Sequence, residues 1–347
     1  REAALGALLA AGERLAGALG RRVPLFYGTD EQLELIGDAR EALARVFLLL
    51  LNPPEVSRAL LCKERFGELA RERGLPAPRA LAWDQLGAAA GPVLVKPRAK
   101  TGGAAAALLG GSGKARVYAS ARELLADPLA QRLRERLTFQ EYVPGDDRQL
   151  WSFHGFADER GSLLAGFVGR KLRTFPALTG ESSYLELARD DEVAALGRRI
   201  VARVPLRGAF KIDFKRCAAS GRLVVLEVNA RFTLWHHLGA ANGVNLPQVA
   251  YDYLVRGARP AAPPAWGTRR RWLCPRLDWR AYRELAARGE LGLGAWLASL
   301  AAAPKVYNLY SWTDPWPWLR QAARRAPARL ARELGQLGAR LWRASAS

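Results

Sequence analysis

Phe210-Lys211-Ile212-Asp213-Phe214-Lys215, followed after Ala219-Ser220-Gly221 by Leu223-Val224-Val225-Leu226-Glu227-Val228-Asn229-Ala230-Arg231, is the stretch that decides the fold. Two apolar-rich runs flank a turn, so the spacing predicts an antiparallel hairpin over 207–230. Side chains alternate faces along a strand. Ile212, Phe214, Val224, Leu226, Val228 and Ala230 are expected on the apolar face, and Lys211, Asp213, Lys215, Glu227, Asn229 and Arg231 on the other. With the turn centred near residue 219, Asp213 falls diagonal to Glu227, their Cβ atoms roughly 7 Å apart. Two carboxylates and an amide within that reach suit Mg²⁺, which takes oxygen ligands and completes its shell with water and phosphate. Alternation alone fits an ordinary charged face equally well. The company argues for a site: Asn is a poor strand former, and here it shares a face with both acids, Lys211 and Arg231.

Upstream, Gly91-Pro92-Val93-Leu94-Val95-Lys96-Pro97 reads as a strand that ends on an ammonium group. The next stretch, 98–113, is rich in Gly and small residues. Thr101-Gly102-Gly103 and Gly110-Gly111-Ser112-Gly113 would let backbone N–H groups approach an anion closely. Neither GxxxxGK[ST] nor GxGxxG is present, and a flexible hairpin accounts for the glycines as well. Lys63, in Leu61-Cys62-Lys63-Glu64-Arg65-Phe66, sits on a helix expected over 55–73, where by itself it reads as a solvated cation.

The remaining pattern is mixed α/β (α+β). A helix over 2–19, a strand over 23–27, a polar turn at Gly28-Thr29-Asp30 and a helix over 31–51 make a βα fragment of an open sheet. A strand over 115–119, a helix over 121–136 and a strand over 138–143 follow. Two strands then span 149–171, and helices are expected over 191–204 and 246–255. The Pro-rich stretch 260–264 reads as a linker to a basic, Trp-rich C-terminal region.

In this order the pieces resemble the ATP-grasp superfamily of carboxylate–amine ligases across roughly residues 20–256. The most similar members are the predicted amino-acid or peptide ligases related to D-aspartate ligase. The resemblance implies a truncated N-terminal open-sheet domain at 1–56, a linker helix and lid subdomain at 57–145, a catalytic and metal subdomain with an antiparallel sheet at 146–256, and a basic helical extension at 257–347. Lys63 and Lys96 match the two phosphate-contacting lysines, and 98–113 matches the loop over the triphosphate. Gln140-Glu141-Tyr142-Val143 matches the adenine-reading hinge, with either Gln140 or Glu141 in the acidic slot. Asp147 falls where a carboxylate takes the ribose hydroxyls. Asp213, Glu227 and Asn229 match the ligands of Mg²⁺ or Mn²⁺, and Arg231 matches the cation of the ExNxR pattern.

The implied reaction is of EC 6.3 type: a carboxylate attacks the γ-phosphate of ATP, and an amine captures the acylphosphate as an amide. Arg231 and Lys211 would face the transferred phosphoryl group. Arg170, Arg173, Ser182 and His236 would meet a small carboxylate or amine substrate, although His236 fits a structural role as well. Two departures stand out: 100–113 is Ala-rich and lacks a dense GGxG cluster, and Ala230 stands where Pro is common. A nucleotide-binding relative without catalysis, or a membrane-associated one, is the alternative.

Composition narrows the rest. The chain has 347 residues, 50% apolar and 25% charged, which excludes disorder over most of its length. Lys+Arg 53 against Asp+Glu 33 gives a net +20, a charge that first suggests a polyanion. Eight of those cations are lysines, however, and 45 are arginines, so much of the excess is an Arg bias. No nucleic-acid module is recognisable, and nucleic acid is not an expected partner. From 257 onward there are 16 Lys+Arg and 5 Asp+Glu. Leu330, Leu334, Leu337 and Leu341, with Arg329, Arg332 and Arg340, form a stripe that would let 319–347 touch an anionic membrane. The stripe fits equally a helix packed on the enzyme or on a second subunit of a homodimer. Cys62, Cys217 and Cys274 show no CxxC or Cys/His spacing, which disfavours a disulfide framework or structural zinc. A cytoplasmic setting is expected, with peripheral membrane association as the variant. Met is absent and the chain opens inside a helical pattern, so the natural N-terminus is expected upstream, where it could hide a signal peptide.

Overall fold

A computed structural model describes residues 1–98, 115–178, 180–311 and 313–324, and the chain divides into two units, Arg1–Lys305 and Val306–Ser347. The first unit opens with the helix Glu2–Leu19. Strands β1 (Val23–Pro24) and β2 (Phe47–Leu48) pair in parallel, joined by the helices Asp30–Asp38 and Arg40–Val46. Thr29 starts the first of these with a reciprocal cap to Gln32. The single helix expected over 31–51 is therefore broken at Ala39 (φ −104°, ψ 23°), and its end becomes a strand. The first helix packs closely on the end of this run. A Cβ on Gly12 of the first helix would lie 2.7 Å from Val46 and 2.8 Å from Phe47, so glycine is what lets that helix seat against the run.

The helix expected over 55–73 also divides, into Pro54–Leu61 and Lys63–Glu72. Cys62 between them is extended (φ −114°, ψ 123°), which makes Lys63 the first residue of a new helix and re-aims its side chain. Strands β3 (Ala80–Leu81), β4 (Val93–Pro97), β5 (Arg116–Tyr118) and β6 (Leu137–Glu141) form an antiparallel sheet in the order β3-β6-β4-β5. It packs on Leu86, Leu124, Ala130 and Leu133. The helix expected over 121–136 breaks at Asp127-Pro128. The Asp127 carboxylate accepts from the N–H groups of Leu129 (2.8 Å) and Ala130 (3.2 Å), and Pro128 takes the first helical position, where no N–H is needed. Apart from Arg98, the glycine-rich stretch 98–113 lies outside the described residues.

The larger sheet carries the site. Its strands are β7 (Leu150–Ala157), β8 (Leu163–Phe175), β9 (Glu181–Leu187), β10 (Gly208–Arg216), β11 (Leu223–Asn229) and β12 (Arg271–Leu273), in the antiparallel order β11-β10-β7-β8-β9-β12. Past the Pro-rich stretch the chain thus returns to extend this sheet. One face is a core of Phe153, Val168, Phe210, Ile212, Phe214, Val225 and Val228 against Ile200 and Val201 of the helix Asp191–Arg203. Each fully buried large apolar side chain there contributes about 1.5–3 kcal/mol.

The hairpin differs from its expected register in one respect. Asp213 pairs with Glu227 but Phe214 pairs with Val225, so Leu226 is an extra residue in β11. Beyond that bulge the alternation reverses. Leu223 and Val225, not Val224 and Leu226, join the apolar core, and Asp213 stands directly opposite Glu227 instead of diagonal to it.

Candidate functional site

The second face of the sheet is built in rows of directly opposed residues: Lys211, His154 and Phe167, then Asp213, Ser152 and Gly169. Asp213 is 4% exposed. Its Oδ2 meets Lys211 Nζ at 2.7 Å, and its Oδ1 lies 3.9 Å from Lys171 Nζ without a hydrogen-bond partner. The neutral Asn229 amide donates to Glu227 (3.1 Å) and to Asp213 (3.4 Å), so one N–H donor group spans the two acids. Glu227 is exposed at the rim of the site. Although the surrounding protein desolvates its carboxyl and so would raise it, Lys211, the Asn229 amide, Lys96 and Lys171 outweigh that and bring it down to about 2. Glu227 is therefore a carboxylate at neutral pH.

These residues fit a hard cation. A buried carboxylate oxygen of Asp213 is left unbonded beside the Glu227 carboxylate, and two carboxylates are the usual protein share of an Mg²⁺ shell. Asn229 would add its oxygen only with its amide turned, because its N–H group faces the acids and its Oδ1 accepts from Arg231. Among the described residues no three His, Cys, Asp or Glu side chains gather, so the two carboxylates would leave the rest of the shell to water, phosphate and the Asn229 amide.

Cations surround the triad. Lys63 Nζ donates to the Pro97 carbonyl (2.9 Å) at the end of β4. Burial, and then Lys96, push Lys63 down to about 8 against the pull of Glu227. Lys96 is lowered by burial while Glu227 holds it up, and Lys211 is lowered by burial with Asp213 opposing. Arg231 is fixed from the N-terminal part of the chain: Nε meets Asp30 Oδ1 at 2.6 Å, Nη1 donates to the Gly28 carbonyl (3.2 Å), and Nη2 donates to Asn229 Oδ1 (3.2 Å). Asp30 is not an expected site residue from sequence, and Lys171 falls in the stretch 169–173 expected to meet substrate without being singled out there. For Lys171 a signal existed, because lysine is rare in this Arg-biased chain. Asp30 is 201 positions from Arg231 and had none.

At the hinge, the Glu141 and Tyr142 N–H groups donate to the carbonyls of Arg79 (3.0 Å) and Pro92 (3.1 Å), which ties β6 to its neighbours. The Glu141 carboxylate pairs with Arg222 at 3.3 Å. Gln140 is half-buried between Ala80 and Leu94, Val143 is buried, and Lys215 Nζ lies 4.7 Å from the Tyr142 ring centre. Asp147 departs from its expected place on ribose. It is buried, and its oxygens accept from Thr174 N (2.7 Å), Thr174 Oγ1 (2.8 Å) and Leu178 N (2.8 Å), so the carboxylate anchors the end of β8.

Both substrate-facing arginines are corrected as well. Arg170 opposes Trp151, which opposes Phe214, so it lies on the far face of the sheet from Asp213 and pairs with Glu186 at 2.6 Å. A second bulge, at Leu172, turns Arg173 to that same face. There it is buried and held by both Asp278 oxygens (2.8 and 2.9 Å) over the Tyr184 ring. Ser182 is half-buried opposite Thr174. His236 does reach the site face. Its ring lies 5.6 Å from His154 and 6.3 Å from Phe167, and its Nδ1 accepts from the Thr233 N–H (3.4 Å). Burial, then Lys211 and Arg231, depress it to about 3. It is neutral at ordinary pH.

No helix among the described residues is long and apolar enough to cross a membrane. The stripe at 330–341 lies outside the described residues.

No protein-family model matches the chain, and no curated protein matches it. Solved structures do. It is similar to the biotin carboxylase–βγ-ATP complex from Campylobacter jejuni (12% identity, TM-score 0.55, covering 73% of this chain and 58% of that one). A second is the biotin carboxylase domain dimer of 2-oxoglutarate carboxylase from Hydrogenobacter thermophilus, in complex with MgADP, ADP and bicarbonate (17%, 0.54, 73% and 58%). A third is the L-amino acid ligase from Bacillus licheniformis (14%, 0.51, 74% and 60%). The chain spans 58% to 60% of the length of these structures. What it shares with them is the fold, and that fold is ATP-grasp.

Proposed function

We infer that this ATP-grasp chain is an ATP-dependent ligase that joins a small carboxylate to an amine, an amino acid or peptide being the class that fits best. The observation that carries the reading is the triad Asp213, Glu227 and Asn229 ringed by Lys63, Lys96, Lys171, Lys211 and Arg231. Two acids set among five cations suit a metal–triphosphate, because the acids hold the metal and the cations meet phosphate oxygens. In this reading 57–145 cover the nucleotide, 146–256 carry the metal and phosphoryl-facing groups, and 1–56 supply Asp30.

Lys63 and Lys96 would hold phosphates on the lid side. Asp213, Glu227 and Asn229 would hold Mg²⁺ or Mn²⁺, whose contribution is to neutralise charge on the phosphate oxygens. Lys211 and Arg231 would face the transferred phosphoryl group, with Arg231 kept in place by Asp30. A carboxylate oxygen of the substrate attacks the γ-phosphorus, the bond to the β,γ-bridging oxygen breaks, and ADP leaves. The amine nitrogen then attacks the acyl carbon, phosphate departs, and the amine proton goes to solvent. No side-chain nucleophile is needed, so catalysis is positioning and charge neutralisation.

The test is ADP release from MgATP with pooled carboxylates and amines, beside nucleotide binding by a Lys96→Ala, Glu227→Ala variant. Release that requires both pools, and lost nucleotide affinity in the variant, are expected. Release indifferent to added carboxylate and amine, or unchanged affinity, would refute the reading.

A further inference from the structure

Buried polar atoms without partners are few in a folded chain, and each calls for an explanation. Here four of them fall on one region of the site face: Asp213 Oδ1, His154 Nδ1, Thr233 Oγ1 and His236 Nε2. Asp213 Oδ1 belongs to the metal set. The other three belong to nothing described above. His236 is 3% exposed, and its tautomer follows from its bonds. Since Nδ1 accepts from the Thr233 N–H, a neutral ring carries its proton on Nε2, which is therefore an unused donor. Thr233 Oγ1, on the residue whose N–H holds the ring, is a second unused donor, a hydroxyl. Lys211 and Arg231 are the charges that act on the ring, and Lys211 is the cross-strand neighbour of His154. Trp235 (5.0 Å from His154), Phe167 and Phe232 (5.4 Å from His236) wall the region with rings. Trp235 packs directly onto Gly169, where a Cβ would lie 2.2 Å from the indole.

Unused donors beside two cations select an anion or a polarised oxygen, and they disfavour an ammonium group. We propose that His236 Nε2–H and Thr233 Oγ1–H, beside Lys211, form the subsite for the substrate carboxylate, in which His236 donates to the oxygen that becomes the amide oxygen. This rests on the ligase reading. One carboxylate oxygen takes the γ-phosphoryl group and later leaves with phosphate. The other stays on carbon throughout, and a neutral imidazole that cannot lose its donor proton is suited to polarise it. His236 keeps its proton from start to finish. Because Nδ1 is held by a backbone N–H, the ring is fixed before substrate arrives.

The experiment traps the acylphosphate with hydroxylamine, so that activation of the carboxylate is read without its amine partner. Full chain, MgATP and each common L-amino acid in turn are assayed for hydroxamate, with nucleotide affinity measured separately. His236→Leu is expected to raise KM for the active carboxylate and lower kcat, by about tenfold in kcat/KM for one charge-assisted hydrogen bond. Nucleotide affinity should be unchanged. His236→Gln, which can return an N–H near the Nε2 position, should recover to within about threefold of the parent. If His236→Leu does not fold, Thr233→Val must show the rise in KM. Parent-like kcat/KM in His236→Leu, or a Gln variant no better than Leu, overturns the subsite alone. Absence of hydroxamate from the parent with every carboxylate overturns the ligase reading and the subsite with it.

Discussion

Asp278→Ala isolates the consequence of finding Arg173 inside the protein. The Asp278 carboxylate accepts from Arg173 Nε (2.8 Å) and Nη2 (2.9 Å), Ser183 Oγ (3.0 Å) and Trp296 Nε1 (2.9 Å). Without it, the guanidinium of a residue only 6% exposed keeps one hydroxyl, Ser299 Oγ at 3.0 Å, and the face of Tyr184. Removing one partner of a buried pair costs about 3–5 kcal/mol, because the remaining charge stays buried without compensation. Two neutral donors also lose their acceptor. Set against a typical stability of about 5–15 kcal/mol, that is a large share. Urea unfolding followed by tryptophan fluorescence should show the midpoint falling accordingly, with the slope unchanged. Arg173→Leu with Asp278→Leu should be more stable than Asp278→Ala, since no charge is left behind. Nucleotide affinity should survive in the double variant, because Arg173 faces away from Asp213. A loss below about 1 kcal/mol in Asp278→Ala, or a double variant less stable than the single one, would refute the assignment.

Asp147→Asn places an amide where three donors converge, so stability should fall by about 1–3 kcal/mol while nucleotide affinity stays unchanged. Lost affinity at unchanged stability would return Asp147 to the ribose. His154 and His236 are both held neutral by burial first, His154 then by His236, Lys211 and Lys171 and His236 by Lys211 and Arg231, with His236 at about 3 and His154 well below its ordinary value. Between these values and an unfolded value of about 6.5 the unfolded chain binds more protons. Stability should therefore be full above about pH 6.5 and fall toward pH 3, by up to about 1.4 kcal/mol per pH unit for each imidazole. Unfolding curves that do not move between about pH 7.5 and pH 5 would contradict the burial of both rings.

Much of the candidate site could be read from sequence because its residues lie in short local patterns. Asp213, Glu227, Asn229 and Arg231 sit in one hairpin, and Lys96 ends a recognisable strand. Lysine rarity was a further signal. Of the described lysines, Lys63, Lys96, Lys171, Lys211 and Lys215 lie around the triad or hinge, and Lys305 lies elsewhere. In a chain that uses Arg as its general surface cation, a compact ammonium marks positions where a point charge is wanted.

The misreadings share a cause. Leu223-Val224-Val225-Leu226 is apolar throughout, so its pattern could not reveal which residue is extra, and only pairing with β10 placed the bulge at Leu226. The bulge at Leu172 was equally silent, and it moved Arg173 across the sheet. Sequence by itself determined the strands β1, β4 to β8, β10 and β11 and the chemical content of the hairpin, because alternation and turn propensity are local and need only near neighbours. The short strands β2, β3 and β12, and β9, exist through their pairing partners and left no such mark. Tertiary structure decided register and availability: whether Asp213 faces Glu227 squarely, whether Asp147 and Arg173 are free, and what holds Arg231. A charged side chain is available to a ligand only if no partner has taken it. For Arg173 that partner is 105 positions away, and for Arg231 it is 201, distances that only the folded chain closes.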